Sequence, residues 1–268
     1  MARFFYIVLI ALVFSSCSQF QKALKSDDIK LKYETAEMLY EKGKYAKAIR
    51  LFEQIAPSYG GKPQAEKMFY MYSQSLYKTK QFYTAGYQFE KFTASYPRST
   101  MIEEASFLGA KSYYQLSPRY SLDQTDTYKA LDKLQAFINN FPNSQLMPEA
   151  NQLVKELREK LEKKAYEIAK QYHKTGEYFG DYNAAIKAFD NFLIDFPGTP
   201  LKEDALYYKF DSSYLLAINS VPAKQQQRLT DAKANYAALV KFRPETKYKK
   251  EADESLAKIE AELQKFSK

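Results

Sequence analysis

Residues 185–197 read AIKAFDNFLIDFP, and this stretch decides the fold because its spacing recurs four more times along the chain. Phe189 follows Ala185 by four positions, Phe192 comes three later, and Pro197 closes the stretch. The i, i+4, i+7 spacing places these side chains on one face of an α-helix, which the proline then ends. The equivalent triplets elsewhere are Ala48, Phe52 and Ile55; Ala85, Phe89 and Phe92; Ala130, Leu134 and Phe137; and Ala232, Tyr236 and Leu239. We predict that they all belong to the hydrophobic core and assign no activity to them.

A partner helix is predicted before each of these five stretches. Each partner carries a small residue, which lets two helices approach closely, and an apolar residue three positions later. These pairs are Ala36 and Leu39, Ser73 and Leu76, Ala110 and Tyr113, Ala169 and Tyr172, and Ser212 and Leu215. Two positions after each terminal proline stands a hydroxyl residue that is predicted to cap the following helix. These residues are Ser99, Ser144, Thr199 and Thr246.

Five helix pairs with these offsets resemble the tetratricopeptide repeat (TPR) over about residues 29 to 265. The sequence departs from that family's pattern because no repeat has the early Trp and Gly60 replaces the first proline. Insertions also separate the two helices of repeats three to five. A single helix pair cannot bury its apolar face alone, so neighbouring pairs are expected to stack. The predicted fold class is therefore all-α, a TPR-type helical solenoid of five helix pairs after a signal peptide, with a concave groove.

Four segments are expected along the chain. A lipoprotein signal peptide covers residues 1–16, and a lipid-anchored linker covers 17–28. The first three repeats form an N-terminal half over residues 29–147, and a connecting helix with repeats four and five fills 148–268. The connecting helix is predicted from the run Pro148–Thr175, which contains no glycine and no internal proline and would span roughly 42 Å.

Composition excludes several classes of function. The chain has 268 residues, a formal net charge of +8, and only one Cys and one His, so neither a disulfide nor a Cys/His zinc site can be built within it. Its few glycines form no phosphate-binding loop. We therefore expect no cofactor, no metal and no catalytic residues. Nucleic acid is not an expected partner either, because the chain is predicted to be exported and its lysines are scattered among acids.

The N-terminus, MARFFYIVLIALVFSSCS, has the order of charged, apolar and small residues that is typical of a signal peptide. Its apolar run from Phe4 to Phe14 would span about 16 Å as a helix, against a hydrocarbon core of ~30 Å. Cys17, after two serines, resembles the lipobox of bacterial lipoproteins, in which the cysteine is acylated; cleavage at an ordinary signal peptidase site is the alternative. Several acyl chains on one cysteine would anchor the protein stably. Ser18 after the cysteine resembles lipoproteins that are sent on to the outer membrane. The following QFQKA lacks the acidic pair that resembles a surface-export tag, which favours the periplasmic face.

The predicted first helices carry a second set of aromatic residues, displaced from the core stripe. The inner column lies three residues before each small residue, and the outer column lies four after it. The inner column is Tyr33, Tyr70, Phe107 and Tyr166, and the outer column is Tyr40, Tyr77, Tyr114 and His173. With Lys67, Lys78, Lys111 and Lys170 beside them, these aromatics could line a peptide-binding groove. Packing against neighbouring repeats explains them equally well, so both interpretations stay open.

Two further features carry predictions. The densest basic cluster is Lys241, Arg243, Lys247, Lys249 and Lys250, and it could dock an acidic protein surface or anionic lipid, or be a solvated face. His173, the only histidine, is expected to be solvated or to line the groove. No serine elbow or other credible nucleophile set accompanies it.

The stretch Ser117–Leu131, SPRYSLDQTDTYKAL, is similar to members of the BamD family, and the similarity extends over nearly the whole chain from Cys17. The resemblance implies a non-enzymatic lipoprotein scaffold that docks on the BamA-type insertase and other subunits of the β-barrel assembly machinery. It also implies a role in recognising unfolded outer-membrane β-barrel proteins. The alternatives are a periplasmic TPR adaptor lipoprotein that coordinates cell-wall synthesis or envelope constriction, and a wall-cleaving enzyme.

Overall fold

The computed structural model describes residues 19–266, so the predicted signal peptide and Cys17 lie outside the described residues. A helical segment at 19–25 comes first, within the expected linker, and eleven longer helices follow it. They are α1 (Ile29–Glu41), α2 (Tyr45–Tyr59), α3 (Ala65–Lys78), α4 (Phe82–Ser95), α5 (Ile102–Leu116), α6 (Thr125–Asn140), α7 (Met147–Phe179), α8 (Asn183–Asp195), α9 (Lys202–Ile218), α10 (Pro222–Phe242) and α11 (Lys249–Lys265). No helix in this range is long and apolar enough to cross a membrane.

The helices form the five predicted pairs, with α11 packed after the last one. The small residues of α1, α3, α5, α7 and α9 are all buried, as are the anchor alanines of α2, α4, α6, α8 and α10. Phe52, Phe89 and Phe189 are at most 1% exposed, which agrees with their predicted place in the core. The all-α TPR-type fold class is therefore confirmed.

One core prediction is wrong. Tyr172 is 46% exposed, and its neighbour His173 is buried in its place, at 6% exposure. The reason is the packing of α7, where the His173 ring lies 5.3 Å from the Tyr208 ring and 5.9 Å from the Tyr182 ring. A shift of one residue turns a side chain by about 100° around a helix, so only one of the two can face inward.

The hydroxyl residues after the prolines do not cap the following helices as predicted. Each accepts a backbone N–H two residues ahead and donates its own O–H to a glutamate in the first helix of its own repeat. The pairs are Ser99 with Glu66, Ser144 with Glu103, Thr199 with Glu162, and Thr246 with Glu203. This hydrogen bond ties the end of each of these repeats back to its beginning, across 33 to 43 residues of sequence.

The chain divides into two compact units between Leu157 and Arg158. The division falls within α7, a single helix of 33 residues that extends beyond the predicted Pro148–Thr175 run at both ends. The first turns of α7 contribute Ala150 and Leu157 to one core with α5 and α6. Its later turns contribute Tyr166 and Ala169 to another core with α8 and α9.

Candidate peptide-binding face and basic cluster

The inner column is part of the hydrophobic core. Tyr33, Tyr70, Phe107 and Tyr166 are 3 to 8% exposed. Each ring packs on an aromatic ring in the second helix of its own repeat, at centroid distances of 5.3 to 5.7 Å: Tyr59, Phe92, Phe137 and Phe192, respectively. Burial raises the pKa of the Tyr33 phenol to about 12, with the nearby Glu37 as a smaller cause. For these residues the structure favours packing over groove lining, because little of each ring remains for a ligand.

The outer column is half-buried in the N-terminal unit. Tyr40, Tyr77 and Tyr114 each expose part of the ring, and burial raises the pKa of Tyr40 and Tyr77. The Tyr40 hydroxyl donates to Gln74 on α3, and Gln74 in turn donates to the Tyr70 hydroxyl at 2.7 Å. The Tyr114 hydroxyl donates to Glu156 on α7, and this bond raises its pKa to about 12. These tyrosines stay neutral at physiological pH, and Tyr40 and Tyr114 each link one first helix to the next.

Two surface depressions in the N-terminal unit bring together predicted aromatic and lysine residues. The first has a volume of about 530 Å³ and is lined by Tyr33, Tyr59, Glu37 and Lys67 among others. The second has a volume of about 700 Å³ and is lined by Phe107, Leu146, Lys111 and Glu149 among others. Each therefore combines the edge of an inner-column ring with charged groups on its rim. Lys78 lines neither depression.

The rim lysines are paired with acids that the sequence analysis did not single out. Lys67 Nζ lies 2.5 Å from Glu37 Oε1, and Lys111 Nζ lies 2.5 Å from Glu149 Oε1. The hydrogen bond that Lys67 donates to Glu37 raises the pKa of Lys67. Each acid lies on a first helix adjacent to the one that carries the lysine, at a separation of 30 or more residues in sequence. No local pattern marks such a pair, so the sequence alone could not reveal it.

The basic cluster near the C-terminus is mostly neutralised. Arg243 and the backbone N–H of Lys247 both contact Glu203, whose side chain is only 9% exposed. Hydrogen bonds from Thr246, Lys247 and Arg243, in that order, lower the pKa of Glu203 despite its burial. Lys247 also pairs with Asp204 at 2.6 Å, and Lys249 pairs with Asp253 at 2.7 Å. Lys241 and Lys250 are exposed, so they and the partly exposed Phe242 are the groups of this cluster most available to a partner.

His173 neither is solvated nor lines a groove, which corrects the expectation for it. Its Nδ1 lies 2.9 Å from Ser212 Oγ, and its Nε2 lies 3.5 Å from Asp211 Oδ2. Burial lowers the pKa of His173 and raises that of Asp211 to about 6. Within residues 19–266 no cluster of His, Cys, Asp and Glu side chains could hold a metal ion.

The segment that carries the resemblance to a known family consists of a loop after α5, residues 117–124, and the start of α6. Gln124 is 3% exposed and donates its amide to the carbonyls of Arg119 and Leu122, at 2.9 Å each. Thr127 Oγ1 donates to Gln124 Oε1 at 2.7 Å, which fixes the loop to α6. A family model described as YfiO, outer membrane lipoprotein, matches residues 25–229 and 178–266. The chain belongs to this family. The YfiO family is the BamD family of outer membrane lipoproteins, which confirms the resemblance.

Other comparisons add less to the YfiO assignment. No curated protein matches the chain significantly. Two solved structures described as a kinesin light chain of Podosopora anserina, with nearly identical TPR-like repeats, are each 13% identical to it. One match covers 81% of this chain and 97% of the other with a TM-score of 0.33, and the second covers 89% and 99% with a TM-score of 0.32. The assignment of the fold therefore rests on the helices of this protein itself.

Proposed function

We propose that this outer membrane lipoprotein is a non-enzymatic scaffold of the β-barrel assembly machinery, anchored to the periplasmic face by acylated Cys17. In this role it docks on a BamA-type insertase and helps to recognise unfolded outer-membrane β-barrel proteins. Membership in the YfiO family supports the setting. The observation that carries substrate recognition is the pairing, in the N-terminal unit, of two aromatic-edged depressions with lysine–glutamate pairs on their rims.

This arrangement suits an extended chain with a free C-terminus. Apolar side chains that alternate along a β-strand can contact the partly exposed Ile29 in the first depression and Leu146 in the second. The Lys67 side chain is 57% exposed. A pair this exposed stabilises a fold by only about 0 to 1 kcal/mol, so exchanging Glu37 for the terminal carboxylate of a substrate costs little.

Partner docking is assigned to the basic cluster, through Lys241, Lys250 and the adjacent Phe242. Arg243, Lys247 and Lys249 have a different role because their acid partners lie on this chain. Rim charges chiefly alter association rates and their salt dependence. We therefore expect Lys241→Glu with Lys250→Glu to slow association with the insertase subunit at low salt.

The central experiment is affinity purification of the native lipoprotein from membranes, in which insertase subunits are expected. Recovery of wall synthases or Tol-Pal components instead would favour the adaptor alternative. Cys17→Ala should abolish labelling of the protein by a palmitate analogue and release it from membranes washed at high salt, because no helix in 19–266 can replace the anchor. Label retained in that variant would contradict lipidation at Cys17.

Substrate recognition is tested with a peptide that ends in the C-terminal strand of an outer-membrane barrel protein. Lys67→Ala and Lys111→Ala should each weaken its binding, and amidation of the peptide's C-terminus should remove the effect of at least one of them. Lys133→Ala is the matched control, because Lys133 makes a similar pair with Glu90 at 2.7 Å but lies on a second helix. Equal losses for all three variants would refute the proposed substrate site.

A further inference from the structure

The segment that follows the predicted lipidation site is packed on the first repeat. Residues 19–25 are helical, and Phe20 and Ala23 are buried at 3% and 0% exposure in the same core cluster as α2. Leu24 packs against that cluster as well. The chain therefore leaves the first repeat at a defined position and not through a long free linker.

Two cations of α2 lie against the ring of Phe20. Lys47 Nζ is 5.4 Å from the ring centroid, and Arg50 Cζ is 5.6 Å from it. These distances are within the range of cation–π contacts. Lys22 and Lys25, on the helical segment itself, are both exposed. Within residues 19–266 none of these four cations forms an ion pair with a carboxylate, unlike Arg243, Lys247 and Lys249. We call Lys22, Lys25, Lys47 and Arg50 the anchor-side basic face.

We propose that the anchor-side basic face binds anionic phospholipid headgroups and so holds the first repeat against the membrane surface. Cys17 precedes Phe20 by three residues, and three residues of fully extended chain span at most about 11 Å. The electrostatic attraction of an anionic surface extends over about 8 to 10 Å at ordinary ionic strength. The orienting part of this proposal rests on acylation of Cys17, which is part of the proposed function.

A lipid surface fits this face better than an acidic protein does. The three-residue distance from acylated Cys17 to Phe20 keeps the cations beside the bilayer. The concentration of lipid headgroups around them is therefore high without any further partner. The nearest acids in sequence, Asp27 and Asp28, follow the segment, and Asp28 Oδ1 accepts the backbone N–H of Lys30 at 2.8 Å as the N-cap of α1. Phe20 holds the cations of α2 and those of the segment together, so the four charges can act as one surface.

The experiment uses the full mature chain with Cys17→Ser, so that binding reflects this surface and not the acyl chains. Partitioning is measured by co-sedimentation with vesicles of phosphatidylcholine alone and of phosphatidylcholine with 30% phosphatidylglycerol. We expect binding only to the anionic vesicles, and its loss as salt is raised. Changing Lys22, Lys25, Lys47 and Arg50 together to Gln should weaken it at least tenfold, since each cation near an anionic surface contributes several-fold.

The matched control changes Lys174, Lys187, Lys224 and Lys258 to Gln, all of them exposed residues of the C-terminal unit. This variant loses the same net charge and should bind within about threefold of the parent chain. If both variants lose binding equally, only net charge matters and the proposal is overturned. It is also overturned if the parent chain ignores phosphatidylglycerol, or if an acidic protein but no lipid binds the face. None of these results depends on the insertase.

Phe20→Ala tests whether the contact of the Phe20 ring with Lys47 and Arg50 positions the basic face. The lipidated protein is used with the same anionic vesicles. Hydrogen exchange at the start of α2 should be slowed by the vesicles in the parent protein and much less in the variant. Exchange in α5 and α6 should be alike in both proteins, which would exclude unfolding of the unit. If the vesicles slow hydrogen exchange equally in the parent protein and in Phe20→Ala, the Phe20 contact does not position the anchor-side basic face.

Discussion

The two units use the same hydrophobic pattern but treat ionisable groups differently. In the described part of the N-terminal unit, residues 19–157, every buried polar side chain is uncharged, as in Ser73, Ser112 and Gln124. In residues 158–266, Glu203 and His173 are buried, and Asp211 lies beside the histidine. The C-terminal unit thus buries a carboxylate and a histidine, and no Asp, Glu, Lys, Arg or His residue among residues 19–157 is fully buried. The C-terminal unit should therefore be the one whose stability depends on pH and on its ion pairs.

The largest expected effect should be equal in the two units. Phe52→Ala and Phe189→Ala each remove a ring that is fully buried. Each should lower the free energy of unfolding of its own unit by about 3 to 5 kcal/mol. Hydrogen exchange followed separately in α2 and α8 measures both losses within the intact chain. A loss that is much smaller in one unit would mean that its repeats are less tightly packed.

Removing the buried acid Glu203 should distinguish the stability of the C-terminal unit from that of the N-terminal unit. Glu203→Ala leaves the Thr246 hydroxyl and the backbone N–H of Lys247 without their acceptor, while Arg243 stays largely solvated. We expect a loss of about 2 to 4 kcal/mol, since each orphaned buried donor costs about 1 to 3 kcal/mol. Glu260→Ala is the control because its pair with Lys233 is half-exposed, and it should cost less than about 1 kcal/mol. Equal thermal shifts for the two variants would show that burial of Glu203 contributes nothing.

The free energy of unfolding is expected to depend on pH through Asp211. Burial raises the pKa of its carboxyl from 3.8 to about 6, with the negative charge of Glu177 as a second cause. The folded state therefore binds a proton at Asp211 more tightly than the unfolded state does. The stability that this proton contributes is present below pH 4 and is lost as pH rises through 6. The free energy of unfolding of Asp211→Asn should match that of the parent protein near pH 4 and exceed it by about 2 to 3 kcal/mol above pH 6.

The comparison with the parent protein is needed because His173 contributes an opposite slope. Burial lowers the pKa of His173, so its contribution is present above pH 6.5 and is lost as pH falls through its folded pKa. His173 Nε2 lies 3.5 Å from Asp211 Oδ2, so the two protons are coupled and the difference between the two chains reports the titration of the pair. Exposed Asp195→Asn serves as the control. A difference that does not grow between pH 4 and 6 would contradict the burial of Asp211.

The smallest effects concern surface charge reversal. Arg243→Glu places a negative charge against buried Glu203 and should lower the melting temperature by several degrees, with a loss of about 1 to 2 kcal/mol. Arg243 was predicted only as a member of the basic cluster, and its contact with Glu203 makes it a contributor to stability. Lys67→Glu, opposite the more exposed Glu37 in the N-terminal unit, should cost less than about 1 kcal/mol. Comparable shifts for the two reversals would remove the distinction between the units.

The sequence by itself determined the helices, their pairing and the core stripe. These features follow from the spacing of Ala48, Phe52, Ile55 and their equivalents, because i, i+4 and i+7 positions share a helix face whatever lies elsewhere in the chain. The connecting helix could be predicted for the same local reason. The candidate site was predicted in part, since the residue types were found but their burial was not.

Tertiary structure alone decided which polar and aromatic side chains became interior. His173 instead of Tyr172 faces the core because Tyr182 and Tyr208 receive it. Arg243 became a structural residue because Glu203, 40 residues earlier, is buried beneath it. Contacts over such distances depend on how helices stack, and no local pattern shows that Arg243 meets Glu203. The same holds for Phe20, whose place against Lys47 and Arg50 turned an expected linker into part of the first repeat.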